Sequence, residues 1–217
     1  MFKNERLKYM KVLMFNGSPH KEGCTYTALC EIGAALSEKG IDHEIFWAGL
    51  DPVAGCRGCG GCRKNGGKCV ISGDRVNEFV EKMSECDALI VGSPVHYASA
   101  SGTATAFLDR AFYSGSGNFA FKPGAAIVSC RRGGASAAFD QLNKYFTIAR
   151  MPVVSSQYWN QIHGNNAEEA KQDLEGLQTM RTLGYNMAWM LRCIEAGRAA
   201  GVEFPEREPV IRTNFIR

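Results

Sequence analysis

The sequence predicts an α/β domain, a doubly wound parallel sheet of five strands with helices on both faces, and three observations carry that prediction. Short apolar runs alternate along the chain with segments whose apolar residues recur at helical spacing. Several of the runs are apolar throughout, as strands buried on both faces are. The first run, Val12 to Phe15, leads directly into a polar turn, Asn16-Gly17-Ser18-Pro19-His20-Lys21-Glu22-Gly23-Cys24-Thr25, that opens onto a helix.

The elements follow in order. Strands are expected at residues 11–15, 43–47, 88–91, 125–129 and 153–155. Between the first two, Leu29, Ile32, Gly33 and Leu36 share one helical face and Gly40 is placed as a stop. Asp74 is placed to cap a second helix whose inner face is Val76, Phe79, Val80 and Met83. Ser101 does the same for a third, with Ala104, Phe107, Leu108, Ala111 and Phe112 inward. A fourth runs from Ser136 through Phe139, Leu142 and Phe146. Strand, helix, strand, repeated to a fifth strand, gives the doubly wound sheet. After it, residues 165–200 read as one or two helices with a stripe of Met180, Leu183, Met187, Met190, Leu191 and Ile194. Core cover is the first reading of that stripe and a subunit contact the second. The tail, 204–217, is too polar for core and is expected to clasp a neighbour.

A chain of 217 residues, 45% hydrophobic, suits one domain over 1–217, with a cysteine-rich insertion at 48–73 and a helical extension at 165–217. The net charge of +3 comes from basic residues scattered among acidic ones, which gives nucleic-acid binding little support. No segment approaches the roughly 20 apolar residues of a membrane span, and residues 1–6 have no apolar run behind them. A cytoplasmic protein is expected. Nine cysteines fit a reducing compartment, and Cys24, Cys30, Cys86, Cys130 and Cys193 read as buried thiols.

The turn after the first strand is an anion site. Free N–H groups at a helix start, the positive end of the dipole and the hydroxyls of Ser18, Thr25 and Thr27 suit a phosphate. It is not a nucleoside-triphosphate loop, because Gly23 is followed by Cys24-Thr25 and not by Lys-Ser/Thr. Nor is it a dinucleotide fingerprint, since only Gly17 and Gly23 are present and the closest match elsewhere, at Gly115 and Gly117, follows a helix. One terminal phosphate, as on a mononucleotide, is the remaining ligand; an ordinary capped turn is the plain alternative.

Two more loops emerge at the same sheet edge. After the third strand, Pro94, Val95, His96, Tyr97 and Ala98 combine exposed backbone with flat side chains. After the fourth, Arg131, Arg132, Gly133 and Gly134 join positive charge to close backbone approach. A phosphate site, a ring platform and a cationic loop together describe a pocket for flavin mononucleotide (FMN). Trp159 and His163, beyond the fifth strand, either border the substrate space or pack at a subunit contact, and His43 reads as structural.

Asn16-Gly17-Ser18-Pro19-His20-Lys21 through Leu29, Ser93 to Tyr97, Ser101-Gly102 with Phe107-Leu108-Asp109-Arg110, and Arg132-Gly133-Gly134 resemble the NADPH-dependent FMN reductase family of flavodoxin-like proteins. The resemblance covers residues 11–156. It implies a flavodoxin-like fold, non-covalent FMN, electrons from NADPH or NADH, and a homodimer or homotetramer. It matches Ser18, His20, Cys24, Thr25, Tyr26 and Thr27 to the phosphate loop and Pro94 to Ala98 to the segment beside the ring. His20 stands where the family often has arginine, and Cys24 where it often has asparagine.

Cys56, Cys59, Cys62 and Cys69 form a C-x2-C-x2-C-x6-C run in a connection too long for an ordinary crossover. The compact run is a pattern that wraps a [4Fe–4S] cluster. Structural zinc and free thiols are the alternatives. The loop is similar to that of iron–sulfur flavoproteins in the same superfamily. The expected function is transfer of electrons from NAD(P)H through FMN to a small acceptor such as a quinone, a flavin or an azo or nitro aromatic. The alternatives are an electron carrier with a cluster and a redox protein partner, or a flavin-bound sensor.

Overall fold

A computed structural model describes residues 10–206 and 208–215. The expected absence of a leader at residues 1–6 and the final two residues of the tail lie outside the described residues. The central strands are β1 (Lys11–Asn16), β3 (Ala88–His96) and β5 (Gly124–Cys130), flanked by β2 (Asp42–Trp47) and β6 (Gln161–His163). Their order is β2-β1-β3-β5-β6, all parallel, and the two-residue β4 (Ser99–Ala100) folds back antiparallel on the end of β3. Five parallel strands in this order make the flavodoxin-like doubly wound sheet, with β1 and β3 adjacent at its centre.

The helices are α1 (Cys24–Glu38), α2 (Val76–Ser84), α3 (Gly102–Ser114), α4 (Ala135–Ile148), α5 (Ala167–Ala170) and α6 (Leu174–Ala199). Alternation along β1 divides the core: Leu13 and Phe15 face the side of α2, α3 and α4, while Val12 and Met14 face α1 and α6. On the first side Phe15, Phe46, Phe79 and Phe107 meet edge to face or tilted, with centroids 4.8 to 6.0 Å apart. On the second, Met180, Leu183, Met187 and Leu191 of α6 are buried beside α1. Gly184 permits that approach, because a Cβ there would stand 2.7 Å from Ala35 Cβ. The stripe on α6 is therefore core cover along most of its length.

Ser101 caps α3 as expected, its Oγ accepting from Ala104 N at 3.1 Å, and Gly40 follows α1 with φ +68°. The expected cap at Asp74 is corrected: Arg75 is the N-cap of α2, and Asp74, one residue earlier, accepts from Val76 N at 3.2 Å in a local turn and turns its other oxygen to Arg110.

Three more expectations are corrected. The fifth strand is Gln161–His163, not 153–155: Val153 makes one bridge to Gly124, after which the chain leaves the sheet. Ser155 O then accepts from Asn186 Nδ2 of α6 at 2.8 Å. Of the thiols expected to be buried, Cys30 and Cys193 are exposed, because each lies on the outer side of its helix, and Cys24 is half-buried at the start of α1. The helical part of the carboxyl-terminal extension stops at Ala199, where Gly201 takes φ +84° and Pro205 and Pro209 follow; the described tail beyond is exposed and without helix. Among the described residues no helix is long and apolar enough to cross a membrane.

Candidate functional site

The turn after β1 is closed by Asn16, which is fully buried. Its Nδ2 donates to Lys21 O at 3.0 Å and its Oδ1 accepts from Ser18 N at 3.1 Å. Gly17 N donates to Gly92 O at 2.8 Å, and a Cβ at Gly17 would stand 2.7 Å from Ala104 Cβ, so only glycine lets the turn lie against α3. Ser18 Oγ accepts from His20 N at 3.1 Å, and Trp47 Nε1 donates to Ser18 O at 2.8 Å. The helix α1 then begins behind Gly23 with no side-chain cap and no acidic residue in its first turn. Its positive end is left for an anion.

This turn forms one wall of a cleft of about 800 Å³ at the carboxyl ends of the strands. Of the sequence-predicted residues, Ser18, His20, Cys24, Thr25, Pro94, Val95, His96 and Arg131 line it. Tyr26, Thr27, Tyr97, Ala98, Arg132, Gly133 and Gly134 are outside that lining. Thr27 Oγ1 donates back to Gly23 O at 3.2 Å. Tyr97 and Ala98 form the turn from β3 to β4, both left-handed (φ 51° and 56°), with Tyr97 fully exposed. Non-glycine residues in that region cost on the order of 1–3 kcal/mol each and occur at ligand clamps. Gly134 (φ 89°) backs this turn, since a Cβ there would meet Ala98 Cα at 2.8 Å. Burial pushes the Cys24 and Cys130 thiols up from their ordinary range, which disfavours the thiolate form.

Sequence reasoning missed Trp47, Leu50, Ser129, Cys130 and residues 164–168, which also line the cleft. Trp47 and Ser129 carried a signal: each sits at the carboxyl end of a parallel strand, where this fold places ligands. Trp159 and His163 lie in a separate pocket of about 200 Å³, where His163 Nδ1 is 3.3 Å from Asp173 Oδ2. The residues of the main cleft fit FMN. Its volume lies in the ~300–1,000 Å³ range of small-ligand sites. It joins an open helix start to the backbone of Pro94–His96 and the charge of Arg131.

The chain leaves β2 after Trp47, and Cys56, the first thiol of the cysteine loop, stands six residues after Leu50. Cys56, Cys59, Cys62 and Cys69 all line one small pocket of about 20 Å³, together with Val70, Ile71, Arg110 and Tyr113. Gly58, Gly60, Gly66 and Gly67 take left-handed φ values of 62°, 67°, 59° and 81°, which reverse the chain between the thiols. Among the described residues no three acidic, His or Cys side chains stand close enough to hold a single metal ion. The four thiols instead ring a pocket, and a [4Fe–4S] cluster takes four cysteine thiolates around a cluster and not around one ion. Donor chemistry and shared pocket fit that group.

The sequence profile described as NADPH-dependent FMN reductase matches residues 10–165. An iron–sulfur flavoprotein of Methanocaldococcus jannaschii is 32% identical over 194 residues, 86% of this chain and 100% of that protein. Another, from Methanosarcina thermophila, is 32% identical over 198 residues, 87% of this chain and 99% of its own. Among solved structures, a flavodoxin from the domain Archaea superposes with a TM-score of 0.57 at 18% identity, covering 84% of this chain and 99% of that one. The match over residues 10–165 and the near-full-length likeness to proteins named as iron–sulfur flavoproteins agree, and the chain belongs to the NADPH-dependent FMN reductase family, among its iron–sulfur flavoproteins.

Proposed function

We propose that this protein is a two-centre electron-transfer flavoprotein, with FMN in the main cleft and a [4Fe–4S] cluster on Cys56, Cys59, Cys62 and Cys69, that exchanges electrons with a redox protein partner. The observation that carries it is the meeting of all four thiols in one pocket. Leu50, in the flavin cleft, and Cys56 are six residues apart, a chain span of at most about 22 Å. Bound FMN supplies hydride or single-electron chemistry, and a bound cluster supplies single-electron chemistry.

The chain's own groups supply binding and orientation. The open start of α1 and the turn of Gly17 to Gly23 would hold the phosphate. Pro94, Val95 and His96 would seat the ring, Trp47 would wall the cleft, and Arg131 would place positive charge at its rim. No side chain is assigned as acid or base.

A second reading is oxidation of NADPH or NADH with delivery to a small acceptor such as a quinone, a flavin or an azo or nitro aromatic. Exposed His96, which lines the cleft, favours it, because it leaves room there for a second planar molecule. In either reading a second copy of the chain, in a homodimer or homotetramer, is the expected neighbour of the tail.

Iron, acid-labile sulfide and FMN are to be measured on protein purified without oxygen, followed by NADPH titration. Four irons and four sulfides per FMN, with slow NADPH consumption, support the two-centre reading. Stoichiometric FMN without iron, and rapid NADPH-dependent quinone reduction, reject it for the second. Protein that takes up no FMN rejects both.

A further inference from the structure

Arg110 lies in the middle of α3 and is 1% exposed, yet it is not part of the flavin cleft. Its guanidinium is engaged on every side. Nε donates to Cys69 Sγ at 3.3 Å, Nη2 to Ile71 O at 2.8 Å, and Nη1 to Ala54 O at 3.4 Å and to the Asp74 carboxylate. These acceptors lie at both ends of the cysteine loop, residues 54 and 69–74. One side chain therefore closes the loop. Cys69 is also the thiol that the sequence constrains least, being seven residues beyond the compact run with left-handed Gly66 and Gly67 between.

We propose that Arg110 is the positioning residue of the cysteine loop: it clamps both ends of the loop to α3, keeps Cys69 in the four-thiol pocket and, through its bond to that sulfur, sets the reduction potential of the cluster held there. The redox half rests on the two-centre reading above; the clamp rests on the contacts alone.

A buried ion pair adds little net stability over an apolar pair of the same shape, so stability is a poor account of this charge. A donor and a positive charge at a cluster sulfur, by contrast, favour the electron-richer state and raise the potential. The Asp74 carboxylate partly cancels that charge. Removing Arg110 and removing the Asp74 charge must then move the potential in opposite directions, which loss of packing alone does not do.

The test uses full-length wild type, Arg110→Gln, Arg110→Lys and Asp74→Asn, reconstituted without oxygen with iron and sulfide. Asparagine keeps the acceptor for Val76 N. The expected results are a lower cluster potential in Arg110→Gln, a higher one in Asp74→Asn, partial recovery in Arg110→Lys, and iron retention reduced about 10- to 100-fold in Arg110→Gln. In cluster-free protein, Arg110→Gln should speed hydrogen–deuterium exchange over residues 54–74 and leave residues 11–38 unchanged. Equal potentials, or shifts of one sign in both charge variants, overturn the redox half. Unchanged exchange over 54–74 overturns the clamp. If wild type takes up no iron and sulfide, the two-centre reading and the redox half fail together, and the exchange data alone decide the clamp. FMN uptake reports folding; if Arg110→Gln takes up none, Arg110→Lys and Asp74→Asn decide the same questions.

Discussion

Thr25 Oγ1 and Ser129 Oγ stand 2.8 Å apart, joining the first turn of α1 to the end of β5 across the floor of the cleft, with both residues buried. The bond fixes the amino-terminal end of the helix to a strand two places along the sheet. Thr25→Val keeps the branched shape and leaves the Ser129 hydroxyl without its partner, a cost of about 1–3 kcal/mol. Ser129→Ala does the reverse at similar cost. The double variant should cost less than the sum, because neither hydroxyl is then stranded. Urea unfolding of the four proteins checks this, and additivity would show that the bond contributes nothing.

His20 lines the cleft and is exposed in the turn after β1. Arginine there carries a permanent charge and a fork of donors that match phosphate oxygens. His20→Arg should tighten FMN binding by about 1 kcal/mol, roughly fivefold, with most of the gain lost in concentrated salt. Fluorescence titration with FMN measures both effects. Equal affinity for FMN and for riboflavin, in wild type and variant alike, would show that no phosphate sits at this turn.

Why part of this site was legible and part not follows from where each signal resides. The turn after β1 is contiguous, so Ser18, His20, Cys24 and Thr25 could be read together, and the apolar alternation of Val12 to Phe15 placed them at a strand end. Pro94 to His96 were legible for the same reason. Leu50 and residues 164–168 reach the cleft only through the path of the chain, and no local pattern marks them. The fifth strand was misplaced because Gln161-Ile162-His163 has a single apolar residue and pairs along one edge only. The apolar Val153-Val154 looked more strand-like, but Asn160 brings the chain back to the sheet six residues after Val154. Asn160 O accepts from Val128 N at 2.9 Å, and its Nδ2 donates to Ala126 O at 2.9 Å. The clustering of four thiols was legible as spacing, whereas the Arg110 contacts joining residues 54 and 74 were not, since they depend on α3 packing beneath the loop.

Glu44 on β2 is held by two lysines, Lys11 at 2.7 Å and Lys82 at 2.6 Å, with its side chain 28% exposed. Partial burial works against its charge, but the two ammonium groups prevail and hold the carboxyl below its ordinary range. Its bond to Glu44 holds Lys11 above its own. A depressed folded pKa means stability present above the unfolded value of about pH 4.3 and lost as pH falls through the folded value. The raised lysine acts in the opposite sense: its contribution is present below about pH 10.4 and lost as pH rises through the folded value. Glu44→Gln should therefore lower unfolding free energy by about 1 kcal/mol at neutral pH and by less at both extremes. Denaturant midpoints across the pH range test it; a deficit that does not change with pH would assign the loss to packing.

Asn77, on α2, grips Cys69 by a matched pair of bonds: Oδ1 accepts from Cys69 N at 2.8 Å and Nδ2 donates to Cys69 O at 2.9 Å. A side chain that satisfies both backbone groups of one residue fixes that residue's position along the chain, which Arg110 alone, bonding the sulfur, does not. Asn77→Asp keeps the acceptor, loses the donor and sets a carboxylate against a carbonyl; Asn77→Leu loses both bonds. Iron retention should fall in both, by about 10- to 100-fold. FMN affinity should stay unchanged, because Asn77 and Cys69 are outside the flavin cleft. Parallel titration of iron and FMN in the same preparations separates the effect on the cysteine loop from that on the cleft. Loss of FMN in step with iron would mean that the cysteine loop and the cleft are one cooperative unit, and that the loop's order depends on the flavin's.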